Sequence, residues 1–224
     1  MQQQRVAATT SKGNHVSSTL SVQRPHRPES PVTIWRQVCW VNDQLAVSGD
    51  LPYNRTAAEA QLRAWEAEGI TDVFDMRGEA DDSVFIHENS EIITSHWFGV
   101  DDNGGKRSDS WFESFVAAAQ EILQDPTRKI LVHCHMGVNR GPSALFAIMV
   151  STGWDHLDAL RRIRDVRPIA GVIYAPDAVV WCALHQLQAD MSAAQAMCHD
   201  VEQWLQRNYL DIPYVIRSIG SQFA

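Results

Sequence analysis

The chain has 224 residues, 45% of them hydrophobic, which suits one domain with a sizeable core. Its four cysteines form no Cys-x-x-Cys pair and no metal-ligand spacing with histidine, so neither a disulfide scaffold nor a zinc site is expected, and no metal or cofactor is assigned. The formal net charge is −8, yet residues 1–31 carry Arg5, Lys12, Arg24 and Arg27 against Glu29, leaving the rest at −11, a balance that disfavours nucleic acid as a partner.

Residues 1–31 are rich in Gln, Ser, Thr, Arg and Pro without apolar periodicity, which predicts a disordered polar tail. The tail holds no apolar core of about 7 to 15 residues, and nowhere do about 18 apolar residues run together as a membrane span requires. A soluble, cytoplasmic protein with no membrane partner is therefore expected. The folded part is expected over residues 32–190, followed by a helical extension over residues 191–224.

Residues 33–48 alternate well enough for two short strands with a turn at Asn42-Asp43, and Trp35 and Trp40 are placed at a sheet edge. After the turn-rich residues 49–54, Thr56 is expected to cap a helix through residue 68 that buries Ala58, Leu62 and Trp65 and ends at Gly69. Residues 70–76 read as a buried strand, and a helix between two strands implies a βαβ unit with a parallel sheet. Asp75, Arg77 and Glu79, at the end of that strand, read as an ion pair or loop anchor without a catalytic role. A further strand over residues 91–100 runs into Asp101-Asp102-Asn103-Gly104-Gly105, a flexible loop. A helix to residue 123 comes next, with Asp109 as its cap.

Residues 129–150 read as strand, loop and helix. Ile130, Leu131 and Val132 make a short buried strand, and the apolar residues 144–150 a buried helix. The loop between them is an anion site. Unpaired amides and the positive end of the helix dipole face Cys134, which predicts a thiol that ionises easily. Gly137 permits a backbone nest, Arg140 brings a planar fork suited to two phosphate oxygens, and Pro142 opens the helix. A thiolate within amides and beside a guanidinium is suited to attack phosphorus.

At these residues a resemblance enters. His133, Cys134, Gly137 and Arg140 match the His-Cys-x-x-Gly-x-x-Arg signature of the cysteine-based protein phosphatases, and Pro142-Ser143 resembles its continuation in the dual-specificity branch. The resemblance covers roughly residues 40–187. It implies a single α/β domain with a central, mostly parallel sheet flanked by helices, Cys134 as nucleophile and Arg140 as phosphate holder. His133 is implied as the histidine that orients the loop through hydrogen bonds and supports the thiolate. His135, Met136, Gly137, Val138 and Asn139 complete the substrate-binding loop, with Met136, Val138 and Asn139 contributing mainly backbone amides.

The reaction also needs a proton donor, and a carboxylic acid on a mobile loop supplies one. Asp102 precedes Cys134 by 32 residues, a separation similar to that between acid and nucleophile in dual-specificity phosphatases, with Asp101 the near alternative. The family usually has Ser or Thr after the arginine, where its hydroxyl helps the cysteine leave; here that position is Gly141, and Ser143 is expected to point elsewhere.

After residues 151–153 break the chain, residues 155–164 read as an amphipathic helix, and Arg167-Pro168 begins a turn similar to the post-loop region of dual-specificity phosphatases. Residues 191–206 place Ala194, Met197, Val201, Trp204 and Leu205 at helical spacing, and the pattern beyond residue 206 is too mixed to assign. The implied activity is hydrolysis of phosphomonoesters, on a phosphorylated protein (phosphotyrosine, phosphoserine or phosphothreonine) or a small molecule, through a phosphocysteine. A phosphate-binding pseudophosphatase is the alternative, supported by Gly141. An RNA 5′-triphosphatase-like hydrolase is another, through the Gly-x-Asn-Arg ending at residues 137–140.

Overall fold

A computed structural model describes residues 25–222; the predicted disordered tail falls, up to residue 24, outside the described residues, as do residues 223 and 224. Residues 33 and 34, expected in a strand, belong to a helical turn, α1 (Pro31–Ile34), because Pro31 presets the φ of a first helical turn. β1 (Cys39–Trp40) and β2 (Leu45–Ser48) then form the expected antiparallel hairpin. Its turn is held by the Asn42 side chain, which accepts from the Gln44 and Leu45 amides at 2.9 and 2.7 Å. Trp40 lies on this edge strand, whereas Trp35 packs with Leu210, Val215 and Ile219, away from the sheet.

α2 (Arg55–Ala67) is capped by Asn54 rather than Thr56: Asn54 is extended and its side chain accepts from the Ala57 amide at 3.1 Å, while Thr56 is already inside the helix. Gly69, at φ +80°, ends it. β3 (Asp72–Arg77) is followed by α3 (Ser83–Asn89), a helix too short to show a period in the sequence. Then come β4 (Thr94–Val100) and α4 (Asp109–Ile122), whose cap is Ser108 with Asp109 in the first turn. β5 (Ile130–His133) leads into α5 (Arg140–Ser151), α6 (His156–Val166) and α7 (Ala175–His185). α8 (Met191–Arg207) and α9 (Ile212–Gly220) close the described chain.

The strands form one sheet in the order β1-β2-β5-β3-β4, parallel except for β1. This is the single, mostly parallel α/β domain that was expected. Alternate residues of the central strands serve opposite faces. Ala46, Val73 and Leu131 meet Leu62 and Trp65 of α2, while Val47, Phe74 and Val132 face the larger cluster built on α5. Trp65 is fully buried, so its loss to alanine should cost about 3–5 kcal/mol. α5 is buried on all sides, from Arg140 to Val150, which is why its sequence is apolar all round. Among the described residues no helix is long and apolar enough to cross a membrane.

The predicted tail does not run unengaged to residue 31. His26 pairs with the chain beside Leu210 through backbone bonds of 2.8 Å to Tyr209 and 3.1 Å from Asp211, and Arg27 meets the Asp211 carboxylate at 2.8 Å.

Candidate active site

β5 ends at the sheet's centre, where the loop of residues 134–139 turns into α5, with the Asn139 and Gly141 amides bonded to Cys134. Gly137 sits at φ +60°, and a Cβ there would lie 2.2 Å from the Arg167 guanidinium and 2.5 Å from the Ser48 carbonyl oxygen. Only glycine fits. A cavity of about 320 Å³ opens over the loop, lined by Asp102, Gly104, Cys134, His135, Met136, Val138, Asn139, Arg140, Ile173, Ile212 and Ile216. Gly137 itself is not part of the cavity's lining, and its carbonyl accepts from Arg167 at 2.6 Å.

Cys134 is 2% exposed. The expectation of an easily ionised thiol is corrected: burial pushes it up, and the nearby Asp102 carboxylate adds to this. The Arg140 charge and the amides of Gly141 and Asn139 favour the thiolate without overcoming burial. The cation field is there, but it is shared with carboxylates.

Arg140 is where that sharing occurs. Its fork does not point both terminal nitrogens at the cavity. Nη1 and Nη2 instead hold the two oxygens of Glu79, the second at 2.6 Å, and Nη1 also donates to the Val100 carbonyl at 3.0 Å. Burial disfavours the Arg140 charge, and the Glu79 carboxylate more than restores it, holding the guanidinium above its ordinary range. In return, the bond from Arg140 holds the Glu79 carboxyl down at about 2. The buried Nε has no hydrogen-bond partner among the described residues; it stands 3.5 Å from Asp102 Oδ2, leaving this edge for an incoming anion. Glu79 is thus a site residue that the sequence reading set aside with Asp75 and Arg77.

Of the two candidate acids, Asp102 lines the cavity and Asp101 does not. Asp102 Oδ1 accepts from Asn139 Nδ2 at 2.7 Å and from the Tyr174 hydroxyl at 2.9 Å, so Oδ2 is the oxygen turned to Arg140. Asn139 does more than contribute an amide. Its Oδ1 accepts from the Ile173 amide at 2.8 Å and from Ser143 Oγ at 3.2 Å, and Ser143 in turn accepts from the Tyr174 amide. Ser143 therefore points away from Cys134, as helix geometry implied. Met136 and Val138 line the cavity, and both also belong to the apolar cluster that includes Leu210, Val215 and Ile219.

Behind the loop, the fully buried Arg167 donates to Gly137 O at 2.6 Å, Trp35 O at 2.7 Å and Met136 O at 3.2 Å. Burial lowers its pKa, and backbone carbonyls rather than a carboxylate surround the charge. The Arg-Pro pair was visible in the sequence; that the arginine threads under the loop of residues 134–139 was not.

The histidines divide differently from the resemblance. His133 is buried against Trp65, ring centroids 5.8 Å apart, and neither ring nitrogen has a hydrogen-bond partner among the described residues. The hydrogen bonds implied for it are not made, since its nearest carboxylate, Asp75, is 3.9 Å away and engaged by Arg77. Asp75, Asp82 and His133 cluster within 4.8 Å, but the Arg77 guanidinium already lies 2.7 and 2.6 Å from the two carboxylates, which repels a metal ion there. Arg77 is the structural ion pair that was expected. His135 binds Asp50 through Nδ1 at 2.7 Å and fastens the loop to the turn after β2.

No protein-family profile matches the chain, and no curated protein matches it. Solved structures do. A variant of human DUSP28 superposes with a TM-score of 0.54 at 17% identity, over 68% of this chain and 98% of that one. The human tyrosine phosphatase-like serine/threonine/tyrosine-interacting protein gives 0.52 at 16% identity, over 67% and 98%. PTPMT1 in complex with PI(5)P gives 0.51 at 15% identity, over 62% and 92%. At these identities the likeness is one of fold, and the fold is that of the dual-specificity-like, cysteine-based phosphatases.

Proposed function

We propose that the chain hydrolyses phosphomonoesters in two steps through a phosphocysteine. The observation that carries this reading is the convergence, in one cavity, of the Cys134 thiol, the unspent Nε edge of Arg140 and the Oδ2 face of Asp102. Cys134, its proton released to solvent, attacks phosphorus as the thiolate; the S–P bond forms as the P–O bond breaks, and Asp102 gives its proton to the leaving oxygen. Asp102, now a carboxylate, takes a proton from water, the water oxygen attacks phosphorus, and the Cys134 thiolate leaves. Arg140 and the loop amides hold the charge that develops on the equatorial oxygens. Glu79 and Arg167 position the guanidinium and the loop without touching substrate. A phosphorylated protein or a small phosphomonoester in the cytoplasm is the substrate this reading supports.

Rapid mixing of an aryl phosphate with near-stoichiometric protein tests it. A burst of one phenolate per Cys134 followed by slower turnover is expected, because no hydroxyl at Gly141 assists the second step. A flat trace from folded, reduced protein refutes hydrolysis and favours the second reading, a phosphate-binding module, for which Gly141 and the raised Cys134 thiol speak. Cys134→Ser separates the two: it abolishes turnover while retaining phosphopeptide binding in an enzyme, and changes neither in a binder.

A further inference from the structure

We infer that helix α9 is the specificity wall of the pocket, selecting phosphomonoesters whose leaving group is apolar and flat over those whose leaving group is polar or charged. The inference rests on the phosphatase reading only for where the phosphate sits. Three isoleucines from two distant segments, Ile173, Ile212 and Ile216, line one cavity with Cys134. Two of them are exposed, Ile173 at 41% and Ile216 at 44%, so apolar surface is left open to water beside the anion site. In that lining Arg140 is the one Lys or Arg among the described residues and His135 is engaged by Asp50, so a second phosphate or a carboxylate on the leaving group would meet no further Lys or Arg.

The wall is built rather than incidental. Val172 takes φ +52°, a left-handed conformation that a β-branched residue adopts only when its surroundings impose it. It places the next residue so that the Ile173 amide reaches Asn139. On the other side, a Cβ at Gly171 would lie 2.7 Å from Ile212 Cδ1, so this glycine makes the seat against which α9 rests. α9 is then strapped from outside: Arg27 pairs with Asp211 and stacks on Tyr214 at 5.0 Å, and Trp35 Nε1 donates to Gln222 at 3.0 Å. An aromatic ring held in this cavity by its phosphate would have Ile173, Ile212 and Ile216 as its apolar lining.

The test is calorimetric binding of 2-naphthyl phosphate, O-phosphoserine and inorganic phosphate to full-length Cys134→Ser protein, alone and with Ile216→Gln or Ile216→Leu. Because Ile216 is partly exposed, these variants should fold. The naphthyl ester should bind about tenfold more tightly than O-phosphoserine, on the scale of one aliphatic side chain covering a ring. That advantage should vanish in Ile216→Gln and return in Ile216→Leu. O-phosphoserine binding as tightly as the naphthyl ester, or an advantage that survives Ile216→Gln, would overturn the inference. Turnover by the Cys134 protein reads the phosphatase reaction separately: a binding preference without turnover removes the enzyme and keeps the wall, whereas turnover without preference does the reverse. Failure of all three anions to bind overturns both.

Discussion

Replacing Arg167 by methionine should unfasten the loop of residues 134–139 from behind. The side chain is fully buried and its shortest bonds run to the carbonyls of Gly137, at 2.6 Å, and Trp35, at 2.7 Å. Methionine fills similar space but leaves both acceptors unpaired, at about 1–3 kcal/mol each, partly offset because a costly buried charge disappears. The expected net loss is about 2–4 kcal/mol in urea unfolding. The bond braces the carbonyl of Gly137, which sits at φ +60°, so affinity for inorganic phosphate should also fall, by roughly tenfold, a loss of about 1.4 kcal/mol. Arg167→Lys, which keeps the charge with fewer donors, should recover part of each loss. The reasoning fails if Arg167→Met unfolds within about 0.5 kcal/mol of the parent and binds phosphate equally well.

Other predictions concern the groups around Cys134. Glu79→Gln should weaken phosphate binding by about tenfold through loss of the paired grip that orients Arg140. Since Arg140 holds the Glu79 carboxyl at about 2, below its ordinary 4.5, the stability contributed by this carboxylate is fully present above 4.5 and is lost as pH falls toward 2. The stability gap between parent and Glu79→Gln, from urea unfolding at pH 7, 5 and 3, should therefore be level from 7 to 5 and smaller at 3; a gap that widens on acidification would contradict the pairing. Asp102→Asn should move the pH midpoint of Cys134 alkylation downward, because the carboxylate raises the thiol, and an upward move would show that it does not. Gly141→Ser puts a Cβ 3.2 Å from the Cys134 amide nitrogen and the His133 carbonyl carbon, so about 1 kcal/mol of stability should be lost in thermal melts. In return the steady-state rate should rise toward the burst rate; an unchanged rate would mean that breakdown of the phosphocysteine does not limit turnover.

The parts of the fold whose signals are local are legible in the sequence. The parallel sheet followed from a helix flanked by strands, and the α2 face from Ala58, Leu62 and Trp65 at helical spacing. The loop from Cys134 to Arg140 is compact in sequence because the proposed site is made of consecutive residues between a strand and a helix start. The sequence is ambiguous where several residues qualify for one task. Asn54 and Thr56 are both good caps, as are Ser108 and Asp109, and backbone conformation chose between them. α9 carries the pattern Ile212, Val215, Ile216 and Ile219 behind a capping Asp211, a signal present in the sequence but short and close to the end of the described chain.

From the sequence alone come a thiol, an arginine and a run of amides set between a strand and a helix, because residues adjacent in the chain are held together whatever the rest does. The charges and walls around that loop come from tertiary structure. Glu79 reaches Arg140 from the end of β3, Arg167 reaches the loop from beyond α6, Tyr174 steadies Asp102, and Ile216 arrives from the last described helix. None of these pairings has a sequence period, since each depends on where the sheet's crossovers bring distant segments. For the same reason the protonation of Cys134 could not be read from its motif: a thiol's ionisation depends on the sum of burial and every nearby charge, and that sum exists only in the folded chain.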